Sequence, residues 1–218
     1  MKKTTLLFVL VFGLVGMLAT VPAFANTLYN NNTANSGNLA AWNIGANNYI
    51  VSDSFTLSAS STVTNASFYA WLTPGDSLES VEWSIGTTPY SNSLGSGTAF
   101  TSQIFRLSNS FGASVDQETF TIPNLSLSAG TYWFTLQDAL VYFNSDSVYW
   151  DVSNGTHSTA YVSGIGNING YMGPGTNSES FYIIGTPDAT VTPEPSSFWL
   201  LGSGLAGLAG LIKRKLMA

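Results

Sequence analysis

The stretch Thr131-Tyr132-Trp133-Phe134-Thr135-Leu136 decides the fold. Tyr132, Phe134 and Leu136 share one face of an extended chain, because successive side chains of a β-strand point to opposite sides. Residues 80–85 alternate in the same way. Both stretches predict strands that turn one face to a core and the other face outward.

Short runs of this kind recur along most of the chain, and turn residues such as Thr73-Pro74-Gly75-Asp76 separate them. No window of eleven or more residues between them has the apolar spacing of a helix. We therefore expect an all-β domain, an antiparallel β-sandwich that is jelly-roll-like. The predicted strands are 54–57, 62–72, 80–85, 97–107, 118–122, 130–136, 147–152, 160–162 and 180–184.

Composition supports a packed domain and excludes several classes of protein. The 218 residues are 44% hydrophobic and 13% aromatic, whereas disorder requires low hydrophobicity. The absence of cysteine excludes disulfide scaffolds, thiolate metal sites and cysteine nucleophiles. Between Asn26 and Thr190, eleven acidic residues face one basic residue, Arg106. Such a surface repels phosphate backbones, so we expect no nucleic-acid partner.

The N-terminus has the pattern of a secretory signal peptide over residues 1–25. Lys2 and Lys3 precede an apolar stretch, and Ala23 and Ala25 form a small-residue site that places cleavage before Asn26. An uncleaved membrane anchor is the alternative. Residues 26–48 are rich in Asn, Ser and Gly, and we interpret them as a flexible lead-in or an edge strand.

The C-terminus combines three features in a fixed order. Pro193-Glu194-Pro195 comes first, an apolar run over 198–212 follows, and Lys213-Arg214-Lys215 comes last. The run barely spans a hydrocarbon core of about 30 Å, and the basic residues favour the cytoplasmic side. An ordinary single-span anchor is the alternative to a segment that is later cut.

This C-terminal region resembles the PEP-CTERM sorting signal of Gram-negative bacteria. The resemblance implies recognition by an exosortase, transient insertion in the inner membrane, and cleavage near Pro193-Glu194-Pro195. The protein would then reach the cell surface or the extracellular space. The stretches 81–87, 129–137 and 148–151 also resemble secreted β-sandwich proteins with no assigned activity.

Four segments follow from these patterns. They are a signal peptide at 1–25, a lead-in or edge strand at 26–48, a β-sandwich domain at 49–190, and at 191–218 a sorting signal with a transmembrane helix and a basic tail.

Catalytic chemistry is hard to find in this sequence. His157 is the only histidine, and no nucleophile elbow accompanies it. Asp116 and Glu118 are two residues apart and would share a strand face, but solvent-facing positions explain them equally well. We assign no catalytic residue, no metal ligand and no cofactor, and calcium at clustered carboxylates stays open.

Exposed aromatic residues give the best candidate for a binding surface. Trp133 and Tyr149 fall opposite the inferred core faces of their strands, so they are our candidates for glycan stacking. Trp83 shares a face with Val81 and Ile85 and is expected in the core. We interpret the protein as a structural or adhesive surface component associated with exopolysaccharide. A carbohydrate-binding module is the alternative, and a glycoside-active enzyme comes third.

Overall fold

The computed structural model describes residues 25–31, 41–46, 49–142, 145–153, 160–164, 170–171, 178–188 and 204. Several predictions therefore lie outside the described residues. They are the signal peptide apart from Ala25, the loop histidine His157, the Pro193-Glu194-Pro195 motif and the basic cluster Lys213-Arg214-Lys215.

The described chain forms fourteen β-strands that pair in two antiparallel sheets. The strands are β1 Asn26–Asn30, β2 Ala41–Asn43, β3 Tyr49–Leu57, β4 Ser61–Leu72, β5 Leu78–Gly86, β6 Gly95–Phe100, β7 Ser102–Ser108, β8 Ser114–Leu127, β9 Gly130–Val141, β10 Tyr149–Ser153, β11 Ala160–Gly164, β12 Gly170–Tyr171, β13 Ser178–Glu179 and β14 Phe181–Pro187.

The larger sheet has eight strands arranged around β4. β8 pairs along one side of β4, and β14 and then β10 pair along the other. β1 extends the sheet beyond β14, β7 extends it beyond β8, and β2 and β13 both pair with β10. The smaller sheet has six strands in the order β12-β11-β3-β9-β5-β6, so β9 is internal and pairs with β3 and β5.

Aromatic side chains from both sheets meet in one core. The Phe134 ring of β9 has its centroid 6.2 Å from that of Phe120, 5.6 Å from Trp150 and 5.4 Å from Phe181, all of which belong to the larger sheet. The inner faces of the two sheets therefore pack against each other, as in a β-sandwich. The all-β, two-sheet prediction is confirmed, and the jelly-roll path stays a prediction.

The predicted strand 97–107 is two strands in the structure. β6 ends at Phe100 and pairs with β5 in the smaller sheet, whereas β7 begins at Ser102 and pairs with β8 in the larger one. Thr101 is the residue between them, and its hydroxyl donates to the Leu78 carbonyl oxygen at 3.2 Å. The chain thus changes sheets within a run that has a continuous β pattern.

β3 and β8 begin earlier than the sequence pattern indicates, because carboxylates occupy inward positions ahead of the predicted starts. β3 begins at Tyr49, ahead of the predicted strand, and buried Asp53 lies between the core residues Val51 and Phe55. β8 begins at Ser114, and both Asp116 and Glu118 are buried. A charged residue at an inward position interrupts the alternation on which strand prediction depends.

Among the described residues, no helix is long and apolar enough to cross a bilayer. The predicted sorting helix at 198–212 is described only at Gly204.

Replacing Phe134 by Ala should lower the free energy of unfolding by about 3–5 kcal/mol, because the ring is fully buried between the sheets. Phe100→Ala is the matched control: Phe100 is 73% exposed, and its loss should change stability by less than about 0.5 kcal/mol. Urea titrations followed by circular dichroism measure both values. Equal effects of the two substitutions would contradict the assignment of Phe134 to the core.

Candidate functional site

The outer face of the six-stranded sheet carries a row of hydroxyl groups set by strand register. Thr135 of β9 lies opposite Ser52 of β3 on one side and Ser84 of β5 on the other. Directly paired residues point to the same side of a sheet, so these three side chains lie side by side. The Thr135 hydroxyl donates to the Ser52 hydroxyl oxygen at 2.9 Å.

Two residues further along β5 and β9, on the same side of the sheet, Glu82 lies opposite Gln137. The Gln137 amide Nε2 donates to Glu82 Oε2 at 2.9 Å. This pair lines a groove of about 250 Å³ together with Ser84, Thr135, Tyr90 and Thr98. We call the surface formed by Ser52, Glu82, Ser84, Thr135 and Gln137 the polar face.

Aromatic residues lie at the other end of the polar face. Trp133 of β9 is half-buried, and its ring centroid lies 4.9 Å from that of Tyr161 on β11, with the ring planes 74° apart. Burial and the nearby Tyr161 hydroxyl raise the pKa of Tyr90 to about 12. This region of the polar face therefore contains three aromatic side chains, those of Trp133, Tyr161 and Tyr90.

The loop that carries Tyr90 is held in one conformation. Tyr90 has a φ angle of 62°, which lies in the left-handed region that residues with a side chain rarely adopt. Its backbone N–H points to the Ser52 hydroxyl at 3.4 Å. The loop returns so close to Gly86 that an added Cβ would lie 2.5 Å from the Ser91 carbonyl oxygen. A strained residue that its surroundings hold in place is typical of a functional surface.

A second aromatic surface lies on the outer face of the eight-stranded sheet. Trp71 of β4 stacks on Phe111, with ring centroids 5.7 Å apart and planes 30° apart. Both residues line a cleft of about 540 Å³ together with Tyr149 and Asp146. The Trp71 indole Nε1 donates to the Asp151 carboxylate at 2.6 Å, which fixes the ring.

The hairpin loop between β7 and β8 presents Phe111 to solvent. Asn109 Oδ1 accepts hydrogen bonds from the backbone N–H groups of Phe111 and Ala113, at 3.0 and 2.9 Å. Gly112 adopts a positive φ of 81°, as the turn requires. The exposed Phe111 ring is thus held by loop geometry rather than by burial.

The structure places the two predicted stacking residues on different sheets. Trp133 belongs to the six-stranded sheet beside Tyr161, and Tyr149 belongs to β10 of the eight-stranded sheet, where it lines the Trp71 cleft. Each residue has an aromatic neighbourhood, but the two do not form one surface. Trp83 is buried, as its strand parity predicted.

Buried carboxylates are the feature that the sequence analysis missed. Asp53 Oδ2 accepts hydrogen bonds from Asn31 Nδ2, the Ser178 hydroxyl and the Glu179 backbone N–H, and Asp53 Oδ1 accepts one from the Ser54 N–H. Glu179 is fully buried, and burial, together with Asp53 and Asp151, raises its pKa well above the ordinary value. A second buried pair is Asp116 and Glu118, which the sequence left as candidates for solvent-facing positions.

The remaining candidates for chemistry are dispersed. Asp146 is exposed at the Trp71 cleft, whereas Asp151 is buried and also accepts a hydrogen bond from the Ser180 hydroxyl at 3.3 Å. Within the described part of the chain, no group of three or more His, Cys, Asp or Glu residues is placed to hold a metal ion.

Comparison with known protein families identifies a sorting motif in the C-terminal segment. Residues 191–215 match the family described as the PEP-CTERM protein-sorting motif. The chain carries a PEP-CTERM sorting motif. The matched range contains Pro193-Glu194-Pro195 and Lys213-Arg214-Lys215, as the sequence resemblance predicted. No curated protein matches the chain.

A PEP-CTERM motif marks a protein that an exosortase recognises and processes during sorting. Such a protein is exported, is held transiently in the membrane, and ends at the cell surface or outside the cell. The motif covers only the C-terminal segment, so the activity of the β domain depends on the surfaces described above.

The raised pKa of buried Glu118 predicts how the stability of the fold depends on pH. Burial, opposed by the Thr101 hydroxyl and assisted by Asp116, raises the pKa of Glu118 from 4.5 to about 7. The folded state then binds more protons than the unfolded state between these two pKa values. The contribution of protonated Glu118 to the free energy of unfolding is therefore fully present below pH 4.5 and is lost as the pH rises to about 7. The change corresponds to about 3 kcal/mol.

Glu118→Gln should remove this dependence, because the amide resembles the protonated acid and does not titrate. Urea titrations of both proteins at several pH values, with a chelator present, measure the difference. If the two stability curves stay parallel from pH 4 to pH 8, the pKa of Glu118 is not raised and the prediction is wrong.

Proposed function

We propose that the mature protein is a structural or adhesive component of the cell surface or extracellular matrix, and that it associates with exopolysaccharide through the polar face. The PEP-CTERM motif supports this location, because it directs the β domain out of the cell. The observation that carries the proposal is the Trp133–Tyr161 pair, which lies at the end of a face otherwise built from hydroxyl, amide and carboxylate groups.

The chemistry of this surface suits a sugar chain. Aromatic rings offer a flat apolar surface to the C–H faces of a sugar, and tyrosine adds a polar group at its tip. The partly exposed side chains of Gln137 and Glu82 offer donors and acceptors to sugar hydroxyls, whereas the Thr135 hydroxyl is buried and bonds to Ser52.

The charge of the domain selects among glycans. Eleven acidic residues lie between Asn26 and Thr190, and the single basic residue there, Arg106, belongs to β7 of the other sheet. An acidic domain repels polymers that carry carboxylate or sulfate groups. The proposed ligand is therefore a neutral polysaccharide.

The same surface favours binding over hydrolysis. A glycosidase needs two carboxyl groups about 5–10 Å apart across the bond that it cleaves. Glu82 is the one carboxylate among the described residues that line the groove, and its Oε2 accepts a hydrogen bond from Gln137. A glycoside-active enzyme stays the third alternative.

The second aromatic surface supports an adhesive role over that of a single-site binding module. The cleft with Trp71, Phe111 and Tyr149 lies on the outer face of the opposite sheet. Two binding surfaces on opposite faces would allow one domain to contact two polysaccharide chains, and linked weak contacts give high avidity.

The ends of the mature protein provide the first test. The protein isolated from the native cell surface should begin at Asn26 and should lack the apolar segment after the Pro193-Glu194-Pro195 motif. Mass spectrometry of the intact protein and its peptides measures both ends. Peptides from Leu205 to Lys213 in the extracellular fraction would contradict exosortase processing of this chain.

Retention on polysaccharide provides the second test. Trp133→Ala should weaken retention of the surface-isolated protein on host exopolysaccharide about tenfold, the effect of losing one stacked ring. Tyr149→Ala reports separately on the Trp71 cleft. Affinity electrophoresis in gels that contain the polysaccharide measures retention, and thermal melts show that each variant is folded.

Phe105→Ala is the matched control, because it removes an exposed aromatic ring that lies on neither surface. This variant should be retained like the wild type. If the wild type is not retained, or if Trp133→Ala and Tyr149→Ala are retained as strongly as Phe105→Ala, the proposal is wrong.

A further inference from the structure

The inward side of the β7–β8 hairpin brings together oxygen atoms that have no partner. Glu118 lies opposite Gln103 of β7 on one side and Phe68 of β4 on the other, and Asp116 is two residues away on the same side of the sheet. Glu118 is fully buried, and neither of its carboxylate oxygens has a hydrogen-bond partner.

Gln103 contributes a third oxygen of this kind. Its Oε1 atom is buried without a partner, whereas its Nε2 group donates to Asp116 Oδ2 at 2.6 Å. The Thr101 hydroxyl lies near enough to Glu118 to lower its pKa, but its one hydrogen is donated to the Leu78 carbonyl oxygen at 3.2 Å, so its own oxygen retains lone pairs. Amide, hydroxyl and carboxylate oxygens thus lie around Glu118.

Asp116 can still accept further interactions. Its Oδ1 receives one hydrogen bond from the Ser114 hydroxyl at 2.9 Å, and its Oδ2 receives the one from Gln103. Each carboxylate oxygen has about two lone-pair sites, so one on each oxygen is left for another ligand.

Among the residues that the structure describes, no basic side chain compensates the charge of this pair. Arg106 is exposed and donates to the Gln117 side chain, which lies on the opposite side of β8 from Glu118. Two carboxylates buried without a cation are costly, and so is a buried oxygen without a donor. A proton or a bound cation would satisfy both conditions.

We propose that Glu118, Asp116 and Gln103 bind Ca²⁺. Calcium accepts six to eight oxygen ligands, which include carboxylates, amide oxygens and water, and it tolerates irregular geometry. Two carboxylates together with neutral oxygens suit the weak class of extracellular calcium sites, with dissociation constants of about 10⁻⁴–10⁻³ M. Mg²⁺ fits less well, since it demands near-ideal octahedral geometry and gives up its water reluctantly.

In the other buried acidic cluster, Asp53 differs from Asp116 in how its oxygens are used. Asp53 accepts hydrogen bonds from two backbone N–H groups and from the Asn31 and Ser178 side chains, so donors already surround it. Glu179 is as buried as Glu118 and also lacks partners for its carboxylate. Glu179 is therefore a matched control for the effect of removing a buried glutamate.

A cation at this position would stabilise the hairpin that carries Phe111. Asp116 and Glu118 belong to β8 and Gln103 to β7, so one ion would join the two strands close to where β7 enters the larger sheet. The site would be empty at cytoplasmic calcium concentrations and filled outside the cell, where calcium is abundant. The hairpin would then gain this stabilisation only after export.

Thermal unfolding of the protein isolated from the cell surface and treated with EDTA tests the proposal. Adding 10 mM Ca²⁺ should raise the melting temperature by about 3–5 °C at pH 7.5. Mg²⁺ at the same concentration should have less than half this effect. Isothermal titration with Ca²⁺ alone should give one site per chain.

Glu118→Gln keeps the shape of the side chain and should abolish the calcium-dependent shift, and Asp116→Asn should weaken binding at least tenfold. Glu179→Gln should respond to calcium like the wild type. If the wild type shows no shift, if Glu118→Gln retains it, or if Glu179→Gln loses it, the proposed site is wrong. None of these results depends on polysaccharide binding.

Discussion

The packing of aromatic rings between the two sheets is the constraint on which the rest of the structure depends. Phe134 of the smaller sheet contacts Phe120, Trp150 and Phe181 of the larger one. Once this residue points inward, the two-residue period of a strand sends Trp133 and Thr135 outward. Register then aligns the outward residues of β3, β5 and β9 into the polar face. The functional surface is therefore a consequence of how the core is packed.

The sequence predicts this part of the fold because alternation is clean in residues 80–85 and 131–136. The prediction of inward positions fails at Asp53, Asp116 and Glu118. The sequence alone does not distinguish a buried acidic residue from an exposed one. It also fails at Thr101, where the chain changes sheets without a turn signal. Parity correctly identified outward aromatic residues, but parity contains no information on which strands are neighbours. The strand pairing seen in the structure places Trp133 and Tyr149 on different sheets.

The low charge of the chain gives the buried carboxylates their significance. Only 8% of the residues are charged. Although the protein has only twelve acidic residues, several of them lie in its interior, so their burial needs a specific explanation. Asp53 joins β3 to β13 through hydrogen bonds, which is a structural role. The Glu118 carboxylate and the Gln103 Oε1 atom lack such partners, and the Ca²⁺ that we propose for them would be met by a protein sorted to the outside of the cell.

Single-cysteine labelling tests the central claim about parity most directly, because the chain contains no cysteine of its own. Thr56 and Gln137 lie on the outer side of the six-stranded sheet, whereas Val51 and Leu136 are fully buried and paired with each other. Under native conditions, a thiol reagent should label the Thr56→Cys and Gln137→Cys variants rapidly, and the Val51→Cys and Leu136→Cys variants only after denaturation. Equal labelling rates at all four positions, or fast labelling at Val51 and Leu136 in a protein that still melts cooperatively, would contradict the account.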